Sequence, residues 1–203
     1  MNPIESIHER FHAPRRVRVL AGHLAELLPR GVSVLDVGTG DGRIAAAVAR
    51  RRPDVEIRGI EDRPRPGARI PVEPFDGRRI PFPPASFDAV TFIDVLHHAQ
   101  DPLQLLREGI RVGRRVLIVK DHTCDGLLAL PTLRLMDRVG NRRFGIPPAA
   151  DYWTERRWRR SFDDLGLGIA LWRKDLGLYP WPVRWLCERS LHCLALLEIP
   201  DRS

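Results

Sequence analysis

Apolar residues occur in short bursts along this chain, and their spacing alternates between that of a buried strand and that of an amphipathic helix. Val32, Val34, Leu35 and Val37 form a strand-like run that leads through Gly38, Gly40 and Gly42 into a helix over 42–52, which Pro53 stops. A second short strand over 55–60 ends at Glu61, and 89–94 reads as a further strand. Asp101-Pro102 then opens a helix with apolar positions at Leu103, Leu106 and Ile110, and Gly113 ends it. The fully apolar run 116–119 predicts a central strand. Upstream, Ile4, Ile7 and Phe11 mark one amphipathic series up to Pro14, and Val17, Leu20, Leu24 and Leu27 mark a second that ends at Pro29-Arg30-Gly31. Downstream, 124–153 is too long for a simple connection and holds a leucine-rich helix over 127–139 before a proline-rich stretch. An arginine-bearing helix over 154–165, a strand over 167–172 and a last strand over 191–197 complete the pattern. Alternating strands and helices of this kind predict an α/β fold with a doubly wound, mostly parallel sheet, in which ligand chemistry sits at strand ends.

The loop after the first strand is the most informative stretch. A dinucleotide-binding turn reads G-x-G-x-x-G, whereas this one reads G-x-G-x-G, with Asp36 and Asp41 beside it. Two carboxylates next to a helix N-terminus would repel a pyrophosphate, which speaks against an NAD-dependent oxidoreductase. They suit a cofactor that carries positive charge, such as the sulfonium and ammonium of S-adenosylmethionine (SAM). Over 32–121 the chain resembles the class I SAM-dependent methyltransferases, small-molecule type, and over the remainder it follows them in outline.

The resemblance implies a Rossmann-like methyltransferase fold of seven strands, with helices before the first strand and an insertion after the fifth. It also implies SAM as cofactor and assigns residues to it. Asp36, Gly38, Gly40 and Gly42 form the loop, and Glu61, with Asp62 as runner-up, takes the ribose hydroxyls, which a carboxylate can accept in pairs. Asp76 and Gly77 meet the adenine, and Asp94 is either a cofactor neighbour or a strand-end cap. After strands four and five stand His97, His98, Asp121 and His122, candidates to remove a proton from the acceptor as the methyl arrives. They are expected to converge on one cavity beneath the 124–153 insertion. A binding protein that kept this fold without catalysis is the remaining alternative.

Composition adds limits. The 203 residues are 43% hydrophobic, which supports one domain with a substantial core: 1–31 as N-terminal helices, 32–121 as the cofactor half, 122–153 as a substrate-side insertion and 154–203 as the closing helix and strands. No apolar run approaches a membrane span, and the first residues lack a signal-peptide core, so a cytoplasmic location is expected. Cys124, Cys187 and Cys193 have no zinc or disulfide spacing; no metal is expected, and the thiols read as buried. All five tryptophans fall in the last third, as core packing or as the wall of an apolar acceptor pocket. Together with the leucine-rich insertion they favour a small, apolar or lipid-like acceptor.

The net charge of +7 suggests a polyanion partner at first sight, yet Lys120 and Lys174 are the only lysines, so 31 of the 33 basic residues are arginines, scattered along the chain. The Asn/Asp-Pro-Pro-aromatic run of base-amino methyltransferases is also missing after strand four, where Asp94-Val95-Leu96-His97-His98 stands. A nucleic-acid substrate is therefore disfavoured. Duplex and single-stranded nucleic acid are expected to bind weakly and to be released by about 0.2 M salt; submicromolar binding at that salt in a filter or anisotropy assay would contradict this.

Overall fold

A computed structural model of the chain describes residues 13–141, 151–181, 183–188 and 191–200. The amphipathic series Ile4, Ile7, Phe11 and the proline-rich stretch at Pro147-Pro148 lie outside them. In chain order the elements are α1 (Ala13–Leu27), β1 (Ser33–Val37), α2 (Arg43–Arg51), β2 (Glu56–Glu61), β3 (Val72–Pro74), β4 (Phe87–Ile93), a 3₁₀ turn (Leu96–His98), α3 (Pro102–Val112), β5 (Gly113–His122), α4 (Ala129–Asn141), α5 (Glu155–Asp164), β6 (Gly168–Arg173), α6 (Val183–Cys187) and β7 (His192–Glu198).

The seven strands form one sheet in the order β3-β2-β1-β4-β5-β7-β6. All neighbours through β5 are parallel, whereas β7 runs antiparallel between β5 and β6. Chain order reverses between β1 and β4, so the C-terminal ends of those strands frame the crevice where a doubly wound sheet binds ligand.

Alternation along each central strand divides the core into two layers. Leu35, Val37, Val90, Phe92, Leu117 and Val119 face a layer with Leu105 and Leu106 of α3 and Trp158 and Phe162 of α5. Val34, Ala89, Ile118 and Leu194 face the other layer, with Leu20 and Leu24 of α1 and Ala47 and Val48 of α2. Burial on both faces explains why β1, β4 and β5 read as continuous apolar runs. Helix starts follow their caps: Asp101 accepts a hydrogen bond from Gln104 N, and Thr154 accepts one from Arg157 N.

The periodicity reading differs from the structure in four places. The three-residue edge strand β3 is too short to leave a pattern. β5 starts at Gly113 and runs to His122, because Arg114 and Arg115 turn outward while their backbone stays in the sheet. α4 begins two residues later than expected, leaving Leu127 and Leu128 outside it and exposed. The five-residue α6 is too short for a helical period to show in the sequence. Of the three cysteines Cys193 alone is buried; Cys124 and Cys187 are partly exposed.

Trp158 joins the α3–α5 layer to the site edge: its ring is fully packed and its Nε1 donates to His122 O at 2.9 Å. Trp158→Ala is expected to lower unfolding free energy by about 3–5 kcal/mol, measured by urea denaturation. A loss below about 1 kcal/mol would show that this layer does not anchor the β5 terminus.

Candidate functional site

The glycine loop turns from β1 into α2 at three positions with left-handed backbone, Gly38 (φ 70°), Gly40 (φ 62°) and Gly42 (φ 70°). Two of these are demanded by packing as well. A Cβ on Gly38 would lie 2.3 Å from Val95 Cγ2, and one on Gly42 would lie 2.9 Å from Ile70 Cγ1. Gly40 is different: a Cβ there would meet nothing nearer than the Arg65 guanidinium at 3.8 Å, so this glycine keeps the open side of the loop clear.

Asp36 lies beneath the loop. Its Oδ2 accepts from the Thr39 hydroxyl and its Oδ1 from the Thr91 hydroxyl, both at 2.6 Å. Burial raises its pKa, and the two hydroxyl bonds partly offset that. It braces the loop from inside, with both oxygens engaged. Glu61, at the end of β2, reaches across instead, and its Oε2 accepts from Gly40 N at 2.6 Å. Burial and a hydrogen bond that its protonated carboxyl donates to Asp62 push Glu61 up to about 7. Pro74 of β3 stands opposite Glu61, and two residues on, exposed Asp76 accepts from Arg78 N and Arg79 N at 2.8 and 2.7 Å, with Gly77 at φ 75°. Thus Asp76 shapes a turn on the same edge as Glu61.

Asp94 follows β4 in a left-handed conformation (φ 55°), unusual for a residue with a side chain. It forms ion pairs with Lys120 of β5 and with Arg16 of α1. Burial opposes its ionisation, but these two cations hold its carboxyl well below the usual carboxylate range. Lys120 Nζ also donates to His192 Nδ1 at 3.3 Å, and His192 Nε2 donates to Cys187 O. Burial, reinforced by Lys120, keeps both His192 and His122 well below the usual histidine range.

His97, His98, Asp121 and His122 do come together at the ends of β4 and β5, as the topology requires. Buried Asp121 accepts from His97 Nδ1 at 2.6 Å and from the backbone N–H groups of Leu96, His97 and His122. Burial alone would lower the His97 pKa, but the Asp121 carboxylate outweighs it and raises it. The His98 ring lies 4.1 Å from that of His97, and the His122 ring 4.8 Å from it. Burial and the neighbouring His97 depress His98, which remains 21% exposed through its side chain.

The segment after β5 supplies the other wall. Tyr152 stacks on His97 with centroids 5.7 Å apart, and Asp137 of α4 approaches His98 Nε2 at 3.5 Å. One ligand atom each from His97, His98 and Asp137 falls within a 4.8 Å span, a spacing compatible with a single small cation. Arg16, Lys120, Asp137 and His192 escaped the sequence reading. A buried lysine inside an apolar strand was the one signal available for them. A cavity of about 540 Å³ lies elsewhere, between α1 and α2 and lined by Arg18, Arg43, Arg50, Arg51 and Arg69.

A family model described as a methyltransferase domain matches residues 7–168. The chain belongs to that family. An uncharacterized methyltransferase from Mycobacterium sp. (strain JLS) is 32% identical over 157 residues, 71% of this chain and 58% of that one. The demethylmenaquinone methyltransferase of Deinococcus radiodurans is 38% identical over 141 residues, 60% of this chain and 58% of that protein. The chain therefore spans little more than half the length of these curated relatives. A SAM-dependent methyltransferase from Aquifex aeolicus superposes with a TM-score of 0.64 at 18% identity, covering 97% of this chain and 98% of that one. The seven-stranded sheet with its antiparallel β7 is thus that of the class I SAM-dependent methyltransferase fold.

The ribose role expected for Glu61 requires its carboxylate form, whose two oxygens accept from hydroxyls in pairs. SAM affinity is accordingly expected to rise as pH increases through about 7, read by calorimetric titration. Glu61→Ala should abolish that dependence and weaken SAM by about 1.5–3 kcal/mol. Unchanged affinity would move the ribose role to Asp62.

Proposed function

We propose that this chain transfers a methyl group from SAM to a small, apolar or lipid-like acceptor, working as one domain whose 32–121 half holds the cofactor and whose 122–153 insertion forms the acceptor side. The observation that carries this reading is the meeting of Tyr152 and Asp137, both from that insertion, with His97 and His98 at the switch-point edge of the sheet. Likeness to proteins named for demethylmenaquinone and, at 34% identity over 110 residues, for 27-O-demethylrifamycin SV of Amycolatopsis mediterranei supports a small-molecule acceptor.

Gly38, Gly40 and Gly42 would cradle the cofactor, Glu61 would take its ribose, and Asp76 and Gly77 would border its adenine. Asp94 would face its positively charged end, and Asp36 would act through Thr39. Bound SAM supplies a methyl group already activated on its sulfonium, which leaves the protein to align the acceptor and take its proton. His98 is suited to the second task, because burial keeps it neutral near pH 7 while its edge stays accessible. His97, locked by Asp121, is a positioning residue that holds the His98 ring, and His122 is held between His97 and Asp94.

The test is methyl transfer from labelled SAM to a panel of phenols, quinols and prenylated lipids, with RNA and DNA alongside. Label entering nucleic acid alone would overturn the acceptor assignment. With a working acceptor, His98→Ala is expected to lower kcat by roughly 10²- to 10⁴-fold while SAM affinity stays near wild type. An unchanged kcat would mean that alignment alone suffices.

A further inference from the structure

Two segments at one edge of the sheet turn large apolar side chains outward. Between β5 and α4, Leu127 is fully exposed and Leu128 is 70% exposed; within α4, Leu135 is 60% exposed. Ahead of β7, Trp181 and Trp185 are 85% and 65% exposed. The segments are neighbours. They leave and enter the sheet at His122 and His192, which stand opposite each other in the β5–β7 ladder, and Thr123 N donates to Leu191 O at 3.1 Å. The inner face of α4, Ala129 and Leu133, packs against Leu191 and Tyr152, so packing within the domain leaves the outer leucines unaccounted for.

The charges on these segments are sorted by sign. Between 126 and 138 the one acid, Asp137, turns inward to His98, whereas Arg134 and Arg138 are exposed. Between 181 and 188 the one acid, Glu188, is buried and accepts from Leu178 N and Tyr179 N, whereas Arg184 is exposed and pairs with Asp175. A protein partner is met by a polar rim of both signs. A second copy docked face to face would bring these arginines against each other. Exposed leucine and tryptophan beside Arg134 and Arg138, with Arg184 alone offset by an exposed acid, Asp175, match the boundary between acyl chains and anionic headgroups.

We propose that this edge docks on an anionic lipid bilayer, with Leu127, Leu128, Leu135, Trp181 and Trp185 entering the headgroup region and Arg134 and Arg138 against lipid phosphates. Among the described residues no helix is long and apolar enough to cross a membrane, so the contact is a surface one. Docked this way, the domain turns its histidine cluster toward the bilayer, and a lipid-like acceptor passes from membrane to His98 without crossing water. That last step rests on the acceptor reading above; the docking does not.

The experiment is co-sedimentation of the full chain with vesicles of phosphatidylcholine alone or with about one-third phosphatidylglycerol, with tryptophan emission recorded in parallel. Binding to the anionic vesicles, a blue-shifted emission and release by salt are expected. Leu128→Ser with Leu135→Ser, or Trp181→Ser with Trp185→Ser, should each lower partitioning about tenfold or more with SAM binding intact, and Arg134→Gln with Arg138→Gln should remove the preference for anionic lipid. No binding to either vesicle, or equal binding by the variants, overturns the proposal. So does a concentration-dependent dimer that the leucine or tryptophan variants dissolve, since the face then belongs to a second copy. Vesicle binding by a protein that methylates only water-soluble acceptors would uphold docking and remove the lipid-like acceptor.

Discussion

The buried Asp121 carboxylate holds the reactive edge of this domain together. It sits at the end of β5, yet its partners are the backbone of Leu96, His97 and His122 and the ring of His97, so one side chain ties the turn after β4 to the end of its neighbour strand. Each bond satisfies a group that would otherwise be buried without a partner, and the charge is matched by a histidine whose protonation it favours. Tyr152 stacks on the ring so fixed, and His98 and His122 are positioned by contact with it. Loss of Asp121 would strand several buried donors at once, which makes it a structural keystone as much as a part of the site.

A second network lies one step closer to the cofactor crevice. Asp94, Lys120, Arg16 and His192 bring four ionisable groups from α1, the β4 terminus, β5 and β7 into one partly buried cluster. Lys120 is the least expected member, because a strand fully packed on both faces has no ordinary use for an ammonium group. It is tolerated because Asp94 supplies the opposite charge and His192 presents an acceptor nitrogen. The left-handed backbone at Asp94 then turns Val95 against Gly38, so charge pairing and loop shape are set together.

Much of this was legible in the order of residues. The central strands, the glycine turn and the convergence of His97, His98, Asp121 and His122 follow from local pattern combined with the rule that sites form at the C-terminal ends of parallel strands. What stayed hidden depends on distant pairing. Asp36 reads as a ligand-facing acid, but Thr91, fifty-five positions away, engages its second oxygen within the core. Arg16 reads as one of many surface arginines until α1 is seen to bring it to Asp94. β3 holds its place in the sheet through pairing with β2 and carries too few residues for periodicity to reveal it.

The placement of β7 has a consequence for how the domain comes into being. Among the described residues β6 pairs with β7 alone, and β7 is the last of the seven strands to leave the ribosome. Until it arrives, β6 cannot join, and β5, with Asp121 and His122 at its tip, is an open edge. Assembly of the histidine cluster is thus tied to the latest and most sequence-distant pairing in the fold, so nascent chains must shield an apolar strand edge before any chemistry is possible.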